Sequence, residues 1–220
     1  SQVSANTEAG LSIVSYTGNY TANQTVGHGL NKTPDVLIVK ARGKVASWPV
    51  WHKDLTSADY TLELETSDAE ASVPSRFGAL PTSSVFKIGS SGFTNALAPD
   101  NEMIAYCFAE VEGFSSFGSY VGTGASGNSV VTGFEPAFVM VKIYDASAQA
   151  YPSSGYGSWY IFDNKRTDGT NPIENALYPN LSNAEAAFPS GEGIDFLENG
   201  FQVKTSYFDL NANGNKYIYM

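Results

Sequence analysis

The chain has 220 residues, of which 42% are hydrophobic and 13% aromatic but only 15% charged. A net charge of −10, with twelve scattered Lys and Arg and no basic stripe, excludes nucleic acid and disfavours an anionic membrane as partner. The single cysteine, Cys107, rules out an internal disulfide, and no apolar run approaches the ~20 residues of a membrane helix.

Taken in chain order, residues 1–10 are small and polar and read as a lead-in. Residues 11–17 have strand character, and 18–29 form a polar loop that leaves His28 exposed in a Gly-His-Gly turn. Residues 36–40 are a β-branched apolar run, the pattern of a strand buried on both faces. A further strand spans 48–52. Residues 60–65 alternate strictly, which predicts a half-buried strand with Glu63 and Glu65 facing water. Residues 84–88 and the Gly92-Phe93 pair predict a hairpin. Residues 103–111 close the first half, with Cys107 as a small buried hydrophobe.

The second half repeats this plan. Pro34-Asp35-Val36-Leu37-Ile38-Val39-Lys40 returns as Pro136-Ala137-Phe138-Val139-Met140-Val141-Lys142. Ser47-Trp48-Pro49-Val50-Trp51 returns as Ser158-Trp159-Tyr160-Ile161-Phe162, which places Trp48 and Trp159 in the core. Gly92-Phe93 matches Gly200-Phe201, and Asn101 to Ile104 matches Asn215 to Ile218. A repeat of such long period points to tandem units. The expected fold is all-β: two antiparallel β-sandwich units, jelly-roll-like, at residues 11–112 and 113–220. The second is expected to lack its last strand, because nothing after Met220 matches Cys107-Phe108-Ala109-Glu110. Two stretches belong to the second copy alone: an insertion over 148–157, and a loose segment over 171–193 in which 182–187 predicts a helical turn.

Landmarks shared by both copies are folding requirements, so a specialised site is sought where the copies differ. Flat aromatic rings stack on sugars and anchor protein interfaces at low entropic cost. Tyr151 and Tyr156 in the insertion and Tyr178 in the loose segment are therefore the candidate ligand contacts. Asp209-Leu210-Asn211-Ala212-Asn213-Gly214 reproduces the opening of a calcium loop at Asp209, Asn211 and Asn213. Met220 stands where the closing carboxylate belongs, so no metal is assigned and no cofactor is expected. The acidic pairs Glu63/Glu65, Glu110/Glu112 and Glu185/Glu192 read as solvated carboxylates rather than a glycosidase pair. No catalytic residue is assigned, because neither histidine has a serine and an orienting carboxylate to complete a triad.

Several segments, read together, carry a resemblance. They are Ser12-Ile13-Val14-Ser15-Tyr16-Thr17-Gly18, Thr25-Val26-Gly27-His28-Gly29-Leu30, and the join Tyr106-Cys107-Phe108-Ala109-Glu110-Val111-Glu112-Gly113-Phe114. Phe117-Gly118-Ser119-Tyr120 and the Pro136 to Lys142 run extend it. From Gly10 onward the chain resembles a family of β-rich modules in tailed-phage tail-fibre and appendage proteins. That resemblance implies a non-enzymatic, extracellular virion part, with a host glycan or surface protein as the contacted partner. It also implies association with other virion proteins and a homo-oligomer, a trimer by analogy with fibres. Two other readings stand beside it: a carbohydrate-active enzyme or its lectin-like accessory domain, and a purely architectural filament or capsid-decoration subunit.

Overall fold

A computed structural model describes residues 1–145, 156–166 and 169–220. The described residues form two compact all-β units. The first comprises Ser1–Leu64 and Glu70–Phe117, the second Glu65–Ala69 and Gly118–Met220.

The first unit contains β1 (Gln2–Asn6), β2 (Leu11–Thr17), β3 (Gln24–Gly27), β4 (Val36–Ala41), β5 (Pro49–His52), β6 (Tyr60–Glu63), β7 (Ala71–Ser72), β8 (Val85–Ile88) and β9 (Glu102–Phe108). Seven of them make one antiparallel sheet in the order β1-β2-β9-β4-β5-β6-β7, and β3 pairs with β8. The alternation of β2 and β9 turns Val14, Tyr16, Met103, Ala105 and Cys107 to one face, where they meet Val26, Phe86 and Ile88 of the small sheet. That shared core makes the unit a sandwich. β4 sits in the middle of the large sheet, which is why its run is apolar on both faces.

The second unit contains β10 (Gly118–Val121), β11 (Asn128–Val131), β12 (Phe138–Asp145), β13 (Trp159–Asp163), β14 (Asn175–Ala176), β15 (Ala186–Ala187), β16 (Ile194–Leu197), β17 (Gly200–Val203), the single helical turn α1 (Phe208–Asn211) and β18 (Lys216–Tyr219). Its sheets run β10-β18-β12-β13 and β11-β17-β16, with β14 and β15 paired separately. Tyr120, Val141, Ile143, Phe162, Tyr217 and Tyr219 of the first sheet pack on Val130, Phe196, Phe201 and Val203 of the second.

Strand order recurs between the units, β2-β9-β4-β5 against β10-β18-β12-β13, and so does register. Tyr16 lies opposite Met103 as Tyr120 lies opposite Tyr217, and Leu37 opposite Trp51 as Val139 opposite Phe162. Both units carry a tyrosine ring set edge-on to a phenylalanine, Tyr16 on Phe86 at 6.2 Å and Tyr120 on Phe201 at 6.1 Å. A glycine ends β2 and β10 alike. A Cβ on Gly18 would stand 2.4 Å from the Ala96 carbonyl oxygen, and one on Gly122 2.1 Å from that of Ala212. Only glycine admits such close backbone approach.

Several expectations change. Residues 2–6 are a paired edge strand rather than a lead-in. His28 is buried, its Nδ1 accepting the Leu30 N–H and its Nε2 lying 3.1 Å from the Thr82 oxygen, and burial lowers its pKa. The strand β8 pairs with β3 rather than with Gly92-Phe93, so Phe86 and not Phe93 is the counterpart of Phe201. Glu63 turns to the buried Arg76 instead of water. Ala186 and Ala187 belong to a strand, and the helical turn falls at 208–211. The boundary between units lies at Phe117 and Gly118, with residues 65–69 in the second unit.

Candidate functional site

Of the three candidate tyrosines, Tyr156 and Tyr178 converge, while Tyr151 lies outside the described residues. Tyr178 packs on Tyr160, the second residue of β13, and Tyr156 is linked to Tyr160 through Tyr207. The Tyr178 ring stands edge-on to Tyr160 with centroids 4.9 Å apart. Tyr207, just before α1, lies 6.3 Å from Tyr160 and 5.8 Å from Tyr156. Phe188 and Phe208 complete the cluster, at 5.7 Å from Tyr207 and 5.4 Å from Tyr156 respectively. Tyr160 is buried, Tyr156 and Tyr178 are half-buried, and Tyr207 is 38% exposed. The result is a ring-lined surface with a buried floor and an exposed rim.

Local structure explains the placement. β13 ends its tyrosine-bearing segment at Asp163, whose carboxylate accepts the Arg166 Nε–H at 2.6 Å. Arg166 also donates to Glu185 and to the Ile161 carbonyl oxygen, pinning the second-copy segment against the strand. Asn180 holds that segment from the other side by accepting the Trp159 N–H at 3.0 Å. Tyr178 is therefore fixed on a braced loop.

Two buried ionisable groups, Asp209 and Lys142, adjoin the rings. The Tyr160 hydroxyl donates to Asp209 Oδ2 at 3.2 Å, and the Gly157 N–H donates to Asp209 Oδ1 at 2.6 Å. Lys142 of β12 donates from Nζ to the Gly157 carbonyl oxygen at 2.6 Å and to that of Ser67 at 3.1 Å. Burial pushes the Lys142 ammonium down to about 7, against the pull of Asp209 and Asp68. Burial also raises the Asp209 carboxyl, although the Gly157 N–H, the Tyr160 hydroxyl and Lys142 favour its ionised form. Tyr160 is raised as well, by burial first and then by the charge of Asp209. This floor ties β12, β13 and α1 together under the rim.

The calcium-loop opening does not form. Asp209 faces inward, Asn211 is spent on Thr123, Asn128, Ala125 and Thr205, and Asn213 is exposed. Among the described residues no group of three or more His, Cys, Asp or Glu could hold a metal ion. The acidic pairs are likewise engaged one by one. Glu110 pairs with Lys53, Glu185 with Arg166, and Glu192 accepts the Thr205 hydroxyl. Cys107 is buried, its thiol pushed up to about 12 by burial, as its apolar setting predicts.

The first unit carries a polar recess of about 220 Å³ that Gln24 and Asn95 help to line, below the ~300 Å³ at which small-molecule sites begin. Sequence reasoning missed Tyr207. Its signal becomes readable once Asn95 and Asn211 are seen to be counterparts: Tyr207-Phe208 then stands where the first copy has Ser91-Gly92. No curated protein and no solved structure matches the chain. A family model matches residues 1–220, and the chain therefore belongs to that family, described as a domain of unknown function, DUF7483.

Proposed function

We propose that this chain is a non-enzymatic binding module of an extracellular assembly, a phage tail fibre or other virion appendage, which contacts a host-surface glycan or envelope protein. The observation that supports this reading most is the gathering of second-copy tyrosines into one rim. Tyr156, Tyr178 and Tyr207 offer ring faces and hydroxyls together, the combination that suits a sugar's apolar face and its hydroxyl edge. The floor of Lys142, Asp209 and Tyr160 keeps the rim rigid, which lowers the ordering cost of binding. The assembly is a homo-oligomer, a trimer by analogy with fibres.

Binding of the purified chain to a glycan array and to immobilised host envelope tests the reading. The chain binds, Tyr207→Ala with Tyr156→Ala lowers affinity on the order of tenfold, and no reducing ends are released. Release of reducing ends that Glu185→Gln or Glu192→Gln abolishes would overturn it in favour of a carbohydrate-active enzyme.

A further inference from the structure

The two units treat the same sheet edge differently. In the first, β1 closes the edge of β2 in the register Gln2 to Ser15 through Asn6 to Leu11. In the second, β10 takes the place of β2 and is the outermost strand of its sheet among the described residues. The Gly122 N–H to Asn215 bond fixes which residues of β10 point inward. Antiparallel ladders alternate, so Ser119 and Val121 turn their backbone groups outward. The Val121 carbonyl oxygen accepts one bond from Asn128 Nδ2, which leaves its second lone pair.

The space over that edge differs in the same sense. A Cβ on Gly29 would meet Val3 at 2.9 Å and Ala5 at 3.4 Å, both from β1. A Cβ on Gly133, which follows β11 as Gly29 follows β3, would meet nothing within 4 Å. Val121, 55% exposed, stands on the open strand.

β1 is itself an edge. The Gly18 N–H to Asn101 bond shows that Ser15 and Ile13 face β1, so Gln2 and Ser4 face β2 and the backbone groups of Val3 and Ala5 face away. All five β1 side chains are exposed, Val3 at 44%. Neither Gln2–Asn6 nor Gly118–Val121 carries a charge, in a chain whose net charge of −10 sets most surfaces against their own copies. Uncharged, unprotected edges of this kind are templates for strand addition.

We propose that β10 is a strand-docking edge whose occupant is the outer edge of β1 from a second copy of this chain. The pairing is antiparallel, like every strand pairing described here, with Val3 opposite Val121 and Ala5 opposite Ser119. It sets two exposed valines side by side and fills the outward groups of both strands. Because it joins two different surfaces, the contact is heterologous, and it closes into a ring or extends into a filament. The inference goes beyond the proposed ligand contact and does not depend on it.

Sedimentation velocity of the full chain over a concentration series tests it. The wild-type chain and Ser119→Ala, which keeps the backbone N–H, shift with concentration to a multiple of the single-chain mass. Ser119→Pro and Val3→Pro, each removing one outward N–H, raise the dissociation constant at least about tenfold. Mixing Val3→Cys with Val121→Cys under mild oxidation gives a mixed disulfide dimer, since residues facing each other in a ladder fall within disulfide reach. Single-chain mass at every concentration overturns the proposal, as does undiminished association of Val3→Pro. If Ser119→Pro does not fold, as judged by its thermal transition, Val3→Pro and the mixed disulfide decide alone, because Val3 sits on an exposed edge strand.

Discussion

Lys142 is the residue whose burial has the clearest consequence. Its ammonium is buried, donating to the Gly157 and Ser67 carbonyl oxygens, and burial lowers its folded pKa from 10.5 to about 7. Between these values the unfolded chain holds a proton that the folded chain has released, so stability contributed by this group rises with pH from about 7 to about 10. Asp209 acts in the opposite direction: its raised pKa means that stability falls as pH rises from 3.8 through its folded value. Lys142→Met should therefore remove a rise in Tm, on the order of 5 °C, that the wild-type chain shows between about pH 7 and pH 10. Parallel slopes for the two proteins would contradict the assignment. The sequence showed Lys142 only as a repeat of Lys40. The counterpart donates instead to the Ala46 carbonyl oxygen and lies over the Trp48 ring at 5.3 Å. What distinguishes the two lysines is Asp209, sixty-seven positions away from Lys142 in the chain (209 − 142), and no local pattern links them.

Among the elements, two buried asparagines hold equivalent turns. Asn95 Oδ1 accepts the Asn19 and Tyr20 N–H groups while Nδ2 donates to the Thr21 and Gly89 carbonyl oxygens. Asn211 does the same work with Thr123, Asn128, Ala125 and Thr205. Asn95→Ala and Asn211→Ala should each cost about 2–4 kcal/mol by urea unfolding, since each strands several backbone groups out of water. A cost below about 1 kcal/mol would mean that these side chains do not hold the turns. Phe201→Ala should cost about 3–5 kcal/mol, because the ring is fully buried between Val130, Tyr120 and Tyr219. The strands themselves were legible, since 36–40 and 136–142 carry the continuous apolar runs of central strands. Pairing was not: Gly92-Phe93 and Gly200-Phe201 look alike locally, yet the partner of a strand is chosen across the sheet, and Val26 selects Phe86. His28 misled for a related reason. A Gly-His-Gly turn reads as solvent-facing, and only the distant Thr82 shows that the ring is enclosed.

At the scale of the whole molecule, two β-sandwich units consume most of the aromatic side chains. The second leaves Tyr156, Tyr178 and Tyr207 half-buried or exposed beside the buried Tyr160, Lys142 and Asp209. Two of these three rings, Tyr156 and Tyr178, fall in stretches peculiar to the second half, and Tyr207 was not singled out because the local repeat alignment was shifted there. The rim should bind without the acidic pairs. Glu110→Gln, which breaks the contact with Lys53 in the first unit, should leave ligand affinity unchanged within about twofold and stability within about 1 kcal/mol, as for an exposed ion pair.

The most direct measurement is chemical-shift mapping of the isotopically labelled chain during titration with a host-surface glycan selected on the array. The largest, saturable shifts are expected on Tyr156, Tyr178, Tyr207 and their neighbours on β13 and α1. Shifts centred on the first unit, or on Glu110 and Glu112, would contradict this expectation.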